Sequence, residues 1–300
     1  MPTTTSRTLL SPKQVARAIG VSESSLKRWC DQGKLKCEKT AGGHRRMRIG
    51  SVMSFIRTGG YQLSDPGVVG LPPATGQTQW TIERARDRFA AALIEGDEEV
   101  CQQVALDLYI AGHSLSVICD QLIARGFQEI GNRWDCGDLE VFQERRGCEL
   151  ATRLIHRFGD LVTRPDPRAP KAMGGTLDGD PYTLASGMAE LVLRDSGWDA
   201  QSMGNLLPFE TVRAAVRKIR PRLLWLGVAV VRDEDRFIDE MNRLYSVTES
   251  EGTVLVVGGP ALGKTLRGQI RYSAHCDSMQ HLEDFARLLL AREFTSSSSQ

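Results

Sequence analysis

Eight residues late in the chain, Gly258 to Thr265, have the spacing G-x-x-x-x-G-K-T that can bind the phosphates of a nucleotide. In such a loop, backbone N–H groups and Lys264 contact phosphate oxygens, and Thr265 holds magnesium. The apolar run Val254 to Val257 precedes the motif, as a strand should. Too few residues follow Thr265 for the downstream strand that a nucleotide hydrolase needs. Nucleotide hydrolysis is therefore kept only as an alternative function.

A second chemically distinctive stretch is the cluster of cations between Ser24 and Arg48. It contains eight lysines and arginines but only two acids, Asp31 and Glu38, whereas the whole chain has a net charge of +1. A local basic surface of this kind binds the phosphates of nucleic acid. The alternative is a solvated basic face without a partner, and the pattern of the surrounding elements decides between the two.

These elements are two short helices and a hairpin. Ser11 and Ser22 are N-cap residues, and Gly20 separates the two helices that they begin. Two extended runs follow, joined by a turn in which Gly42 and Gly43 permit positive φ. Helix, turn, helix and hairpin make a winged helix-turn-helix, which is predicted for residues 8–58 and favours DNA as the partner.

The stretch from Leu10 to Ile56, with its wing sequence GGHRR, resembles the DNA-binding domain of the MerR family of transcription regulators. Excisionases and small phage proteins share this motif but are usually much shorter. The resemblance implies that the second helix enters the major groove and that the wing contacts the DNA backbone. By position, it assigns DNA contacts to Ser24, Ser25, Lys27 and Arg28 on the helix and to His44, Arg45 and Arg46 on the wing.

Composition and hydrophobic spacing divide the rest of the chain into four parts. Residues 59–79 include eight Gly or Pro and almost no charge, which predicts a flexible linker. Residues 80–162 contain four amphipathic segments with short turns, which predict a four-helix bundle. In residues 171–294, helical stretches alternate with buried apolar runs, which predicts a doubly wound, Rossmann-like α/β domain. A disordered tail is expected at 295–300. The predicted fold class is multi-domain, α and α/β.

This order of domains resembles the light- and cobalamin-sensing regulators of the CarH type, and its C-terminal part resembles the cobalamin module of methionine synthase. The family pattern in the bundle is Trp, nine residues, then Glu-His. Trp134 and Glu144 match it, but Arg145 stands in the place of the His. The resemblance implies that these residues cover the upper, adenosyl face of the cofactor.

The α/β half departs further from the family pattern. That pattern reads Asp or Glu, any residue, His, two residues, Gly, and the His ligates cobalt. Asp178 matches, but Asp180 replaces the His and Thr183 replaces the Gly; of the later motifs, only Gly258 and Gly259 remain. A carboxylate is a harder cobalt donor than imidazole, and a β-branched residue crowds the approach of the nucleotide tail. The cofactor site is therefore interpreted as degenerate.

Together these patterns predict a sequence-specific DNA-binding transcription regulator that is not an enzyme. Its C-terminal half is expected to be a cobalamin-fold sensor or oligomerisation module without a bound cofactor. Two alternatives remain open: a genuine adenosylcobalamin-dependent, light-sensing repressor, and the nucleotide hydrolase fused to a DNA-binding domain. Cobalamin or another ligand in the same cleft is the alternative for the cofactor.

The expected partners are a double-stranded DNA operator, other copies of the chain in a dimer or higher oligomer, and a protein or small-molecule regulator of the C-terminal half. Seven cysteines without a C-x-x-C pair predict reduced thiols, and five histidines without metal-ligand spacing predict no metal site. The sequence shows no leader and no apolar run long enough to cross a membrane, so a cytoplasmic protein without membrane contact is expected.

Overall fold

The computed structural model describes residues 9–135, 139–163 and 165–297, except for the side chains of 134, 135 and 292–297. The chain forms two compact units that divide after Thr163. None of the helices among these residues has the length and hydropathy that crossing a lipid bilayer requires.

The first unit begins with a winged helix-turn-helix. Ser11 caps the first helix through a reciprocal bond with Gln14, and Ser22 caps the second, as the sequence predicts. A small antiparallel sheet has the strand order β1–β3–β2 and pairs Leu10 with Met47. The elements are β1 (Leu9–Leu10), α1 (Pro12–Ala18), α2 (Glu23–Asp31), β2 (Glu38–Lys39), β3 (Arg45–Arg48) and α3 (Ile49–Gly59).

The bundle follows in the same unit. Its first two helices are separated by Gly96, which takes a positive φ of 83°, and by the N-cap Asp97. The third predicted helix is continuous but contains a π-helical segment, so it is described below as three consecutive elements: α6, the π segment and α7. The elements are α4 (Ile82–Glu95), α5 (Glu98–Ile110), α6 (Leu115–Val117), the π segment (Ile118–Ala124), α7 (Arg125–Asp135) and α8 (Val141–Leu161).

The segment 59–79 packs against the elements on both sides, in contrast to the flexible linker that its composition predicts. The backbone N–H groups of Ser64 and Asp65 donate to the carbonyl of Ala18, at 2.7 and 3.2 Å. A 3₁₀ turn, Pro66–Val69, follows. Glycines and prolines here shape tight turns, while interspersed apolar side chains are buried and fix the segment in place; these are Leu63, Val69 and Leu71.

Helix α3 contacts the bundle at two points, so the winged domain and the bundle form one packed unit. A Cβ on Gly50 would lie 2.9 Å from the carbonyl oxygens of Leu161 and Val162, so only glycine fits this approach without a shift. At the other end of α3, Arg57 lies over the ring of Tyr109, and its guanidinium donates to the carbonyl of His113.

The second unit is an α/β domain with a five-stranded parallel sheet in the order β5–β4–β6–β7–β8. This is a doubly wound order, with its topological switch point between β4 and β6. The elements are β4 (Lys171–Thr176), α9 (Leu184–Asp195), β5 (Asp199–Ser202), α10 (Phe209–Ile219), β6 (Leu223–Gly227), α11 (Glu234–Ser250), β7 (Val254–Gly258), α12 (Lys264–Arg267), β8 (Ala274–His275) and α13 (Met279–Ser297).

Apolar side chains cover both faces of this sheet, which explains the continuous apolar runs in the sequence. One face packs Leu224, Leu226 and Val257 against α10 and α11, and the other packs Trp225 and Val256 against α9 and α13. The predicted multi-domain α and α/β fold class is confirmed.

Candidate nucleic-acid interface and cofactor site

The reading helix α2 presents most of its predicted DNA contacts to solvent. Ser24, Lys27 and Arg28 are exposed. Lys27 forms an ion pair with Glu23 at 2.8 Å, with both side chains nearly half exposed, so this pair is weak and can open for a phosphate. Ser25 is half-buried, and its backbone N–H and hydroxyl both bond to the cap residue Ser22, which gives it a structural task.

The wing is a tight hairpin whose tip is exposed. Thr40 and His44 close the turn through the Thr40 N–H donating to the His44 carbonyl at 2.9 Å, and Gly43 takes the positive φ that this turn requires. The imidazole of His44 is exposed at the tip. Arg46 is half-buried, and its guanidinium donates to the carbonyl of Arg45.

Arg45 holds the wing against the reading helix. Its guanidinium lies 2.5 Å from the Asp31 carboxylate at the end of α2, and this hydrogen bond is the main cause that raises the pKa of Arg45. A phosphate contact by Arg45 would therefore compete with Asp31. Sequence reasoning assigned Arg45 to DNA alone because it did not show that α2 ends beside the wing.

At the carboxyl edge of the parallel sheet, Asp180 joins two loops at the switch point. Its buried carboxylate accepts three backbone N–H groups, from Tyr182 at 3.1 Å, Ala229 at 2.6 Å and Val230 at 3.3 Å. These bonds tie the loop after β4 to the loop after β6. The Asp180 carboxylate therefore has a structural role in holding these two loops together.

Gly258, the last residue of β7, and Gly259, which follows it, lie at the same edge of the sheet. A Cβ on Gly258 would lie 2.7 Å from the carbonyl of Cys276, and one on Gly259 would lie 2.3 Å from the carbonyl of Val228. Gly259 also has a φ of 124°, which side chains rarely permit. Close packing between neighbouring loops therefore requires glycine at both positions.

The remaining predicted cofactor positions lie at the surface of their own units. Asp178 forms a loose, exposed ion pair with Arg236 at 3.8 Å, and Thr183 is exposed at the start of α9. In the bundle, Arg145 pairs with Glu144 at 3.4 Å and is 65% exposed, so its charge is not buried. The side chain of Trp134 lies outside the described residues.

Exposed apolar side chains mark a surface in each unit that suits a large flat ligand. On the first turn of α8, Val141 and Phe142 are 54% and 62% exposed. At the carboxyl edge of the sheet, Tyr182 and Leu206 are 46% and 47% exposed, and Leu206 holds a positive φ of 54°. Among the described residues, no group of three or more His, Cys, Asp or Glu is arranged to hold a metal ion.

The loop after β7 does not form the phosphate-binding cradle that the nucleotide-binding alternative requires. The N–H groups of Ala261, Leu262 and Gly263 donate to the carbonyls of Val228, Gly259 and Ala261, at 3.0–3.2 Å. These groups are turned toward the chain itself, whereas a phosphate-binding loop aims them at its ligand. The helix that follows has only four residues.

Two parts of this chain match known protein families. Residues 9–60 match the family described as a helix-turn-helix domain, and residues 85–157 match the family described as a B12 binding domain. The chain is also 27% identical over 180 residues to the HTH-type transcriptional repressor CarH of Myxococcus xanthus, covering 56% of this chain and 55% of the repressor. The chain resembles the CarH-type regulators and has their cobalamin-binding fold.

Corrinoid proteins are also similar to this chain. Trimethylamine corrinoid protein 1 of Methanosarcina acetivorans is 22% identical over 151 residues, covering 48% of this chain and 66% of that protein. The structure of the monomethylamine corrinoid protein of Methanosarcina barkeri superposes with a TM-score of 0.56 at 14% identity, covering 70% of this chain and all of that one. The chain thus matches little more than half of the repressor's length and about two thirds of the first corrinoid protein's.

These findings correct the expectation that the chain carries no cofactor. The match to the B12 binding domain and the similarity to corrinoid proteins both point to cobalamin. The expectation was wrong because it treated three substituted positions as decisive. In the structure, Arg145 and Thr183 are exposed, so these two substitutions do not fill the interior of their own units, and the buried Asp180 bonds to the backbone of neighbouring loops.

Proposed function

We propose that this chain is a DNA-binding transcription regulator whose C-terminal half binds cobalamin and controls the DNA-binding half. The observation that carries the proposal is the presence, in one chain, of an exposed basic reading helix and wing and of a bundle that matches the B12 binding domain. Neither half contains an arrangement of side chains typical of catalysis among the described residues, so a regulator is favoured over an enzyme.

The residues present fit cobalamin held through apolar contacts with its macrocycle. The exposed side chains of Val141 and Phe142 on α8 would contact it from the bundle. Bound cobalamin would supply a redox-active cobalt whose ligands can exchange, which is a chemical signal.

For DNA, Lys27 and Arg28 would contact base edges and phosphates, while Arg46 and His44 on the wing would contact the backbone. Ser24 lies on the same exposed face of α2, while Ser25 and Arg45 would position these elements. One reading helix covers a single half-site, so the chain would bind its operator as a dimer or higher oligomer.

The cofactor half of the proposal is tested with the purified full chain and adenosylcobalamin. After gel filtration, we expect the parent to retain cobalamin stoichiometrically, as its visible spectrum shows. The variant Phe142→Asp should retain much less, while Leu288→Asp, an equally exposed apolar position on α13, should bind like the parent. A parent that retains no cobalamin would contradict this half of the proposal.

The DNA half is tested by selection from random duplexes followed by a binding measurement on the enriched sequence. We expect an inverted repeat to be enriched and its affinity to change when cobalamin is added. Binding that shows no sequence preference would contradict the assignment of a reading helix. Specific binding that is indifferent to cobalamin would contradict the control of one half by the other.

A further inference from the structure

Two cysteines meet between the reading helix and the wing. Cys30 lies in the last turn of α2 and is buried, and its Sγ is 4.0 Å from the Sδ of Met47 on β3. The hairpin register pairs Glu38 with Arg46, so Cys37, one residue earlier, lies across from Met47. Directly opposed residues of an antiparallel pair point to the same face. Both thiols therefore converge on the side chain of Met47.

The surroundings of the pair suit thiol chemistry. Burial raises the pKa of the Cys30 thiol to about 11, and the neighbouring Cys37 also raises it. Cys37 is only half-buried, so a small oxidant can reach it. The guanidinium of Arg45 is close enough to both sulfurs to interact with them, and a cation beside a thiol favours the thiolate.

We propose that Cys30 and Cys37 form a dithiol that peroxides oxidise to a disulfide, and that this bond lowers the affinity for DNA. Its effect on DNA rests on the proposed function, whereas its formation does not. The Cys37 thiolate attacks an oxygen of hydrogen peroxide, the O–O bond breaks, and a sulfenic acid and hydroxide form; the hydroxide takes a proton from solvent and becomes water. The Cys30 sulfur then attacks the sulfenic sulfur, the S–O bond breaks, and the thiol proton leaves with the hydroxide as a second water.

The disulfide would move the wing relative to the helix. An S–S bond is roughly 2 Å long, and the two sulfurs are not bonded in this structure, so the start of β2 must shift toward α2. The strand β2 is paired with β3, and the shift therefore reaches the turn at 40–44 and Arg45. The other described cysteines do not share this arrangement: Cys101, Cys119 and Cys276 are buried, and Cys148 bonds to Glu144.

The test treats the full chain with hydrogen peroxide and maps disulfides by differential alkylation and peptide mass spectrometry. We expect a Cys30–Cys37 bond that dithiothreitol reverses. Cys30→Ser should instead give a sulfenic acid at Cys37 that dimedone traps. Cys148→Ser should behave like the parent. Absence of the bond in parent protein whose Cys37 is oxidised would overturn the proposal.

DNA binding is measured on the same samples. Oxidised parent should bind several-fold more weakly than reduced parent, and dithiothreitol should restore the affinity. Cys30→Ser and Cys37→Ser should lose this disulfide-dependent change. If the bond forms but the affinity is unchanged, the effect on DNA is wrong while the site remains. If reduced parent binds no DNA at all but the bond forms, it is the proposed function that fails.

Discussion

The guanidinium of Arg57 lies 3.9 Å from the centroid of the Tyr109 ring, which joins the last helix of the winged domain to the second helix of the bundle. The same side chain donates to the carbonyl of His113 at 3.0 Å. A cation over an aromatic face and a charged hydrogen bond each stabilise a contact by about 1 kcal/mol. Arg57 is therefore one of the main contacts between the winged domain and the bundle.

Arg57→Ala should lower the free energy of unfolding of the first unit by about 1–2 kcal/mol, because both contacts are lost. It should also speed proteolysis within residues 59–79, which the packed contact protects. Urea denaturation measures the first effect, and limited chymotrypsin digestion, which can cleave after Tyr61, measures the second. Arg84→Ala, at an exposed position of α4, should change stability by less than about 0.5 kcal/mol. Equal losses in the two variants would refute the special position of Arg57.

Gly50→Ala should destabilise the contact between α3 and the end of α8 by about 1–3 kcal/mol. The added methyl group would meet two backbone carbonyl oxygens at 2.9 Å, and backbone does not yield readily. Gly131→Ala on α7 is the matched control, because its Cβ would meet nothing within 4 Å. That variant should gain up to about 1 kcal/mol from helix propensity. Thermal unfolding of both variants distinguishes the packing effect from the propensity effect.

Asp107 should make stability depend on pH in the acid range. Its buried carboxylate accepts the N–H groups of Gly76 and Trp80, and burial raises its pKa above the ordinary 3.8. Because the folded pKa is the higher one, its contribution to stability is complete below about 3.8 and is lost as pH rises through the folded value. Relative to Asp107→Asn, the parent should gain stability as pH falls through this window. A parallel pH profile for the two proteins would show that Asp107 titrates normally.

Arg28→Ala should weaken binding to all DNA sequences and reduce the slope of log affinity against log salt by about one. Asp31→Asn should act oppositely, because it releases the Arg45 guanidinium for phosphate. Lys218→Ala, an exposed cation of α10 in the other unit, is the charge-matched control and should change neither quantity. A salt series with the selected operator provides the measurement; an unchanged slope in Arg28→Ala would exclude it from the interface.

Lys264→Ala should leave DNA binding intact, and the parent should hydrolyse neither ATP nor GTP. The N–H groups of the loop before Lys264 already bond within the chain, so the loop offers phosphates little. A sensitive phosphate-release assay tests this expectation. Hydrolysis that disappears in the variant would restore the nucleotide hydrolase as the better function.

The sequence predicts those features of the fold that depend on local signals. Ser11 and Ser22 are visible as caps, and the apolar runs at Leu223 and Val254 are visible as buried strands because both faces of their sheet are covered. The packing of residues 59–79 is not visible in this way. Glycine and proline counts describe the turns there, whereas the buried Leu63 and Leu71 depend on helices distant in sequence.

The site was predicted less completely, for a physical reason. Position assigns Arg45 to DNA and places Asp180 where the family has its cobalt-ligating His, but the partner of each side chain comes from another loop or helix. Asp31 and the N–H groups of Ala229 and Val230 become neighbours only after folding. Asp107 gives a weak signal, as the one acid in the apolar run 104–110 of α5, and Arg57 gives another in α3.

The packing of residues 59–79 has a consequence for operator architecture. A flexible linker would let the two winged domains of an assembly bind half-sites at several separations. Here the reading helix is packed in a fixed orientation to the bundle, so the two reading helices of an assembly would keep one separation and one orientation. Adding one base pair rotates a half-site by about a tenth of a turn, and reading helices held in this way cannot follow that rotation. Operators of this regulator should therefore keep a single spacing.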